Sequence, residues 1–352
     1  MGGNSQGSFE LSLNILYRKS TNSMVRHIAI FLALALFAPA LFAQSDTTHP
    51  AWPTLPDRAR VQHLATISSL QNYESGKGFF SAVVDFIFGS ASAKHQFVQP
   101  TGVTVTRGGV LIVTDPGAQG VHIINQQEKE YSFLAGTDLG QFQSPVGCAV
   151  DGDGRVYISD SENKTIVVLN EEYDPLFQIT DHIVRPTGIA VHGDRLYVTD
   201  TGQHAILVFD LTGKYLTQFG QRGEGLGELN YPIQLAVRES VLVVDALNHR
   251  VEAFDVNGHP GTSFGRLGNV AGRFASPKAI ALDTDGNMYV TDAMMDCIQI
   301  FNAKGELLLV VGTHGTRNGE FMSPNGIAIG PDDRIYVVES LNRRVQIFRY
   351  IK

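Results

Sequence analysis

Two cysteines stand in 352 residues, Cys148 and Cys297, and no C-x-x-C spacing occurs. A zinc finger, a RING domain, a thioredoxin-like motif and a c-type haem attachment are thereby excluded. Charge is scarce as well. Asp, Glu, Lys and Arg make up 18% of the chain, and the balance is acidic, −8 overall and −10 once residues 1–43 are set aside. Neutralising a phosphate backbone needs the opposite sign, so nucleic acid is not an expected partner. Long apolar runs are nearly missing too. The one present, Ile28–Ala43, has 16 residues with Pro39 inside it, short for a membrane span of about 20. What remains is 43% hydrophobic, with 36 glycines against 14 prolines, which suits a core-forming protein with many tight turns.

The N-terminal region reads as a leader. Residues 1–23 are polar and patternless, and Met24-Val25-Arg26-His27 opens onto the apolar run and small residues before Gln44. A basic start, an apolar core and a small-residue end describe a secretory signal peptide, with Met24 the natural start and cleavage near Ala43. No cysteine follows the run, which argues against a lipid-anchored lipoprotein. The expectation is a periplasmic or secreted protein without stable membrane insertion after cleavage; an uncleaved N-terminal anchor is the alternative. Residues 44–58 read as linker. Residues 59–68 alternate well enough for a strand, and residues 78–88 place Phe79, Phe80, Val83, Val84, Ile87 and Phe88 at helical spacing.

From Gln96 the chain repeats. Pro100, Pro145, Pro186, Pro232, Pro277 and Pro324 open units 45, 41, 46, 45 and 47 residues apart, so units start near 96, 141, 182, 229, 273 and 321. In each unit a second apolar run ends on an acid: Asp115, Asp160, Asp200, Asp245, Asp292 and Glu339. Four short runs per 40–47 residues describe a β-propeller blade. The runs are apolar on both faces, as in Ile335-Tyr336-Val337-Val338, which suits blades packed face to face and not a sheet with one wet side. The sixth unit supplies three runs and then the chain stops. Residues 59–68 have the length and pattern to be its fourth strand and to close the ring.

These units resemble the NHL repeat. The closest copies are Leu247-Asn248-His249-Arg250-Val251, Leu341-Asn342-Arg343-Arg344-Val345 and Ser161-Glu162-Asn163, and the resemblance spans roughly residues 96–348. It implies an all-β, six-bladed propeller; with the closing strand at residues 59–68 and one short capping helix at 78–88, the domain is expected over residues 59–348. Blade 1 departs from the pattern after Asp115, and blades 4 and 5 carry Gln234 and Ala279 where the glycine after the leading proline is expected.

Candidate chemistry is sparse. An acid ending the second run suits a turn, by accepting backbone N–H groups. Asp151-Gly-Asp153-Gly154 and Asp283-Thr-Asp285-Gly286 lack the further oxygen ligands of a calcium loop and read as hairpins. Propeller lyases related to the NHL fold use histidines near the axis as metal ligands or bases, which the resemblance would carry to His204 and His249; a third ligand is not visible. Lys278, Arg343 and Arg344, on neighbouring blades 5 and 6, are a candidate cationic spot for an anionic ligand. Met294-Met295 is either an exposed contact or a pair tucked under its loop. The reading is a monomeric, non-catalytic binding or scaffold module without cofactor or metal. It meets an exported protein or glycan through loops of one face, carrying Thr101, Lys164, His204, His249, Lys278, Met294, Met295, Asn325 and Arg343. The alternative is a metal-dependent lyase or hydrolase built on His204 and His249.

Overall fold

A strand with apolar side chains on both sides must be covered twice, and the structure does this throughout. In strand Arg334–Glu339, Ile335 and Val337 pack into a cluster with Tyr289, Ile298 and Ile300 of the preceding sheet. Tyr336 and Val338 pack oppositely, against Val103, Leu111 and Val113 of the sheet that begins the ring. Among the described residues six such clusters alternate with the six blade sheets, each filling the space between two neighbours. The core is therefore a closed series of wedges between blades, as the two-sided pattern requires.

The computed structural model describes residues 49–54, 57–58, 60–75 and 96–351. The leader expected over residues 1–43 and the helix expected at 78–88 lie outside the described residues. Blade 3 shows the plan: Pro186–His192, Arg195–Asp200, Ala205–Asp210 and Tyr215–Phe219 hydrogen-bond in chain order as antiparallel strands. The leading proline of blades 2 to 6 lies opposite the acid ending the second strand, as in Pro186↔Asp200 and Pro324↔Glu339. That register puts the start of strand one and the loop after strand two at the same end of every blade, here termed the upper face.

Closure is as the sequence implies. Val61–Ile67 pairs antiparallel with Arg344–Tyr350 and becomes the fourth strand of blade 6, with Ala51–Trp52 outside it. Val61 and Ile67 are buried on either side, in the clusters facing blade 5 and blade 1. Two details differ from expectation. Blade 4 keeps three full strands, and its fourth is reduced to isolated pairings, Val251↔Phe264 and Phe254↔Pro260. Pro260 has no N–H to give and Gly258 and Gly261 flank it, so a continuous ladder is lost. Blade 1 gains a short outer strand, Glu74–Ser75, parallel to Glu130–Leu134.

The inner strands approach closely at the glycine after each leading Pro-x. A Cβ on Gly147 would collide with the Thr187 carbonyl, and one on Gly326 with the Thr101 carbonyl. Blade 4 has Gln234 there, and its Oε1 accepts the N–H of Ile280 in blade 5 at 3.0 Å. The departure from glycine is thus a side-chain bridge between two blades.

Candidate functional site

The six acids hold the upper loops together from beneath. All are fully buried. In blades 1, 2, 3 and 5 the carboxylate accepts both N–H groups preceding the proline position: Val98 and Gln99 at Asp115, Gln143 and Ser144 at Asp160, Val184 and Arg185 at Asp200, Ala275 and Ser276 at Asp292. Blades 4 and 6 differ because an arginine competes. Arg250 Nε donates to Asp245 at 2.9 Å and Arg344 Nε to Glu339 at 2.5 Å. Each of these acids keeps one loop N–H, from Asn230 and Met322. The other, from Tyr231 and Ser323, goes to the preceding blade: to His204 Nδ1 at 3.1 Å and Asp296 Oδ1 at 2.8 Å.

His204 is therefore a strut between blades 3 and 4. It shares its loop position with Gln119, Lys164, His249, Asp296 and Arg343, all left-handed with φ between 48° and 55°. His249 Nδ1 is buried and without a hydrogen-bond partner. Among the described residues no group of three or more His, Cys, Asp or Glu side chains could hold a metal ion. Arg344 leaves the expected cationic spot: it is 6% exposed and donates to the carbonyls of Thr316, Arg317 and Glu320. Arg343 beside it is exposed. The two methionines separate. Met294 is 73% exposed, while the Met295 sulfur accepts from Gln299 beneath the loop.

A polar position inside strand three escaped the sequence reading. His122, Glu252, Gln299 and Gln346 each lie two residues past the partner of the strand-two acid and are fully buried. Glu252, Gln299 and Gln346 accept the N–H of Gly227, Gly272 and Gly319, pinning the long loops that precede blades 4, 5 and 6. Blades 2 and 3 have Val167 and Leu207 at this position, and the loops preceding them are shorter. The recurrence of a polar residue amid apolar runs at blade spacing was the available signal. In blade 1, His122 bridges Asp115 and Tyr131, at 3.3 and 3.0 Å. Burial pushes His122 below its ordinary value despite Asp115. Burial alone would raise Asp115, but His122 and the N–H groups of Val98 and Gln99 outweigh it and hold that carboxyl low. Sealed from solvent, this trio is a structural relay.

At the upper end of the axis lies a cavity of about 370 Å³. Thr101, Lys278 and Asn325 line it, whereas Lys164, His204, His249, Met294, Met295 and Arg343 do not. Sequence reasoning missed Ser144, Arg185 and Tyr231, which also line it from the position just before the proline in blades 2, 3 and 4. Among the described residues Arg185 and Lys278 are the charged members of the lining, which contains no acid. Cys148 reaches the cavity as a free thiol pushed up to about 12 by burial, and Cys297 is likewise free and buried. Both are protonated and inert at neutral pH.

Away from the axis, three exposed apolar side chains recur at one loop position, two residues past the acid: Leu247 (57%), Met294 (73%) and Leu341 (66%). Blades 1 to 3 hold Gly117, Glu162 and Gly202 there. Gly117 and Gly202 press against Val98 and Val184, leaving no room for a side chain.

A family model described as a six-bladed β-propeller matches residues 180–264 and 274–350, and one described as the NHL repeat matches residues 142–169. Among solved structures the chain is similar to a structural genomics protein of unknown function from Bacteroides thetaiotaomicron VPI-5482, at 17% identity and TM-score 0.61, over 83% of this chain and 76% of that one. It is similar to an auxiliary nutrient binding protein from the same organism, at 14% identity and TM-score 0.58, over 73% and 70%. Streptogramin B lyase also resembles it, at 14% identity and TM-score 0.56, over 73% and 95%. Identities this low show a shared fold.

Proposed function

We propose that this chain, a six-bladed β-propeller of NHL-type repeats, is a non-catalytic binding module that presents the upper loops of blades 4 to 6 to a protein partner. The fold leaves the class open, since a lyase and a nutrient-binding protein both share it. The observation that carries the reading is the row of Leu247, Met294 and Leu341. Three large apolar side chains at one register position, on adjacent blades of one face, form a recurring surface feature where scattered exposure would be unremarkable. Methionine within such a row suits adaptable protein contacts. An apolar row favours a protein over a glycan, whose recognition depends more on polar groups. In this reading the protein acts outside the cytoplasm, after removal of its leader near Ala43.

Immobilised residues 44–352, incubated with a cell-envelope extract, should capture a defined partner. A triple Leu247→Ser, Met294→Ser, Leu341→Ser variant with unchanged melting temperature should lose it at least tenfold. Equal capture by the variant would sink the proposal. The lyase or hydrolase alternative gains ground only if purified protein carries a stoichiometric divalent metal that His249→Ala removes.

A further inference from the structure

We infer that the axial cavity is a binding site for the oxyanion of a small molecule, held by Arg185 and Lys278 with hydroxyl support from Ser144 and Tyr231. The apolar row and the cavity share a face but no residue, so the two sites stand independently.

Four side chains on consecutive blades carry the inference. Ser144, Arg185 and Tyr231 precede the proline position in blades 2, 3 and 4, and Lys278 follows it in blade 5. The side chains of all four form no hydrogen bond or ion pair with another described residue. By contrast Arg250 and Arg344, which open strand three of blades 4 and 6, are tied to an acid and to several carbonyls. All four can donate, and among the described residues the two cations are the charged groups of the lining.

The strand-two acids of these blades do not neutralise them. Asp160, Asp200, Asp245 and Asp292, one in each of these blades, are fully buried beneath the loops and spend oxygens on backbone N–H groups. A chain with net charge −8 thus lines the mouth of its axis, among the described residues, with cations and no acid. A guanidinium presents a planar fork that fits the two oxygens of a carboxylate or phosphate, and an ammonium adds a point charge. The cavity of about 370 Å³ lies near the lower end for small-molecule sites, which sets the ligand at the size of a sugar acid, a sugar phosphate or a short polycarboxylate. Arg185 and Lys278 flank blade 4, with Tyr231 and Ile233 lining the wall between them. That placement favours a ligand with a carbon body over a bare inorganic ion.

Calorimetric titration at low ionic strength tests this, using citrate, galacturonate and glucose 6-phosphate beside galactose and glucose as neutral counterparts. At least one anionic probe should bind saturably below about 1 mM, and the neutral sugars should not. Galacturonate or citrate against glucose 6-phosphate then tells carboxylate from phosphate. Arg185→Gln and Lys278→Gln should each weaken that binding about tenfold or more, the usual effect of removing a charged hydrogen-bond donor. Both side chains reach solvent, so melting temperatures should hold. Arg343→Gln, a cation of the same face outside the cavity, should change nothing. The inference is overturned if no anionic probe binds, if the double Arg185→Gln, Lys278→Gln variant binds as well as the parent, or if Arg343→Gln weakens binding equally.

Discussion

At the scale of single residues, the clearest tension is in blade 4. Asp245 and Glu252 are both fully buried and share one guanidinium, Arg250, at 2.9 and 3.3 Å. Burial raises both carboxyls, and Arg250 together with the loop N–H groups only partly offsets it. Blade 6 solves the same problem with Glu339, Arg344 and Gln346, one acid for one cation. A carboxyl whose pKa is raised by folding stabilises the fold fully below its unfolded value and loses that contribution as pH rises through the folded one. Glu252→Gln keeps the acceptor for Gly227 and removes the surplus charge. We expect it to stabilise the protein by about 1 kcal/mol at pH 7 to 8, near 2 °C in Tm. The gain should vanish below pH 4.5, the ordinary value for glutamate, in a thermal melt series.

His204 permits a second test of role. If it is the strut described, His204→Ala leaves the Tyr231 N–H without its partner and costs about 1 to 2 kcal/mol. His204→Asp should recover most of that, because Asp296 already serves Ser323 from the same position in blade 5. Denaturant midpoints would read both. An Asp variant as unstable as the Ala variant would contradict the strut.

Among the elements, the strand Val61–Ile67 matters most. It covers the edge of Arg344–Tyr350 and buries Val61 and Ile67 in the seams on either side of blade 6. Trp52 of the outer strand sits edge-on to Phe348, ring centres 6.0 Å apart. Without these residues a seven-residue strand would present unpaired backbone groups, which invites association. Beginning the chain at Ser69 should therefore cost roughly 5 kcal/mol in buried side chains alone and lower Tm by about 10 °C, with aggregation during heating. An unchanged melting temperature would show that the ring closes without its N-terminal strand.

For the whole molecule, the organising fact is a separation of charge by depth. The strand-two acids are spent inside, tying loops to blades, and the upper axis is left to Arg185 and Lys278. Net charge therefore misleads about local preference. The chain as a whole repels anions at long range, while the cavity offers them donors at contact. The same economy explains why the upper face carries two distinct surfaces. Blades 4 to 6 project Leu247, Met294 and Leu341 outward, and blades 2 to 5 turn Ser144, Arg185, Tyr231 and Lys278 inward.

Much of this architecture is legible in the sequence alone. The spacing of prolines and acids determined six blades, the two-faced runs determined how they pack, and the short sixth unit pointed to residues 59–68 as its missing strand. Those signals are local or periodic, and a periodic fold repeats them until they are unambiguous. The site was different. Of the residues the sequence singles out, Thr101, Lys278 and Asn325 line the axial cavity and His204 and His249 do not, while Arg185 and Tyr231 line it without any sequence signal. A histidine is conspicuous in sequence, whereas whether its nitrogen faces a ligand or a neighbour's N–H depends on residues 27 positions away. Arg344 and Arg343 are adjacent in the chain, yet one is buried under a loop and the other meets solvent. Only the tertiary structure decides such matters, because the partners that consume a polar group come from the next blade.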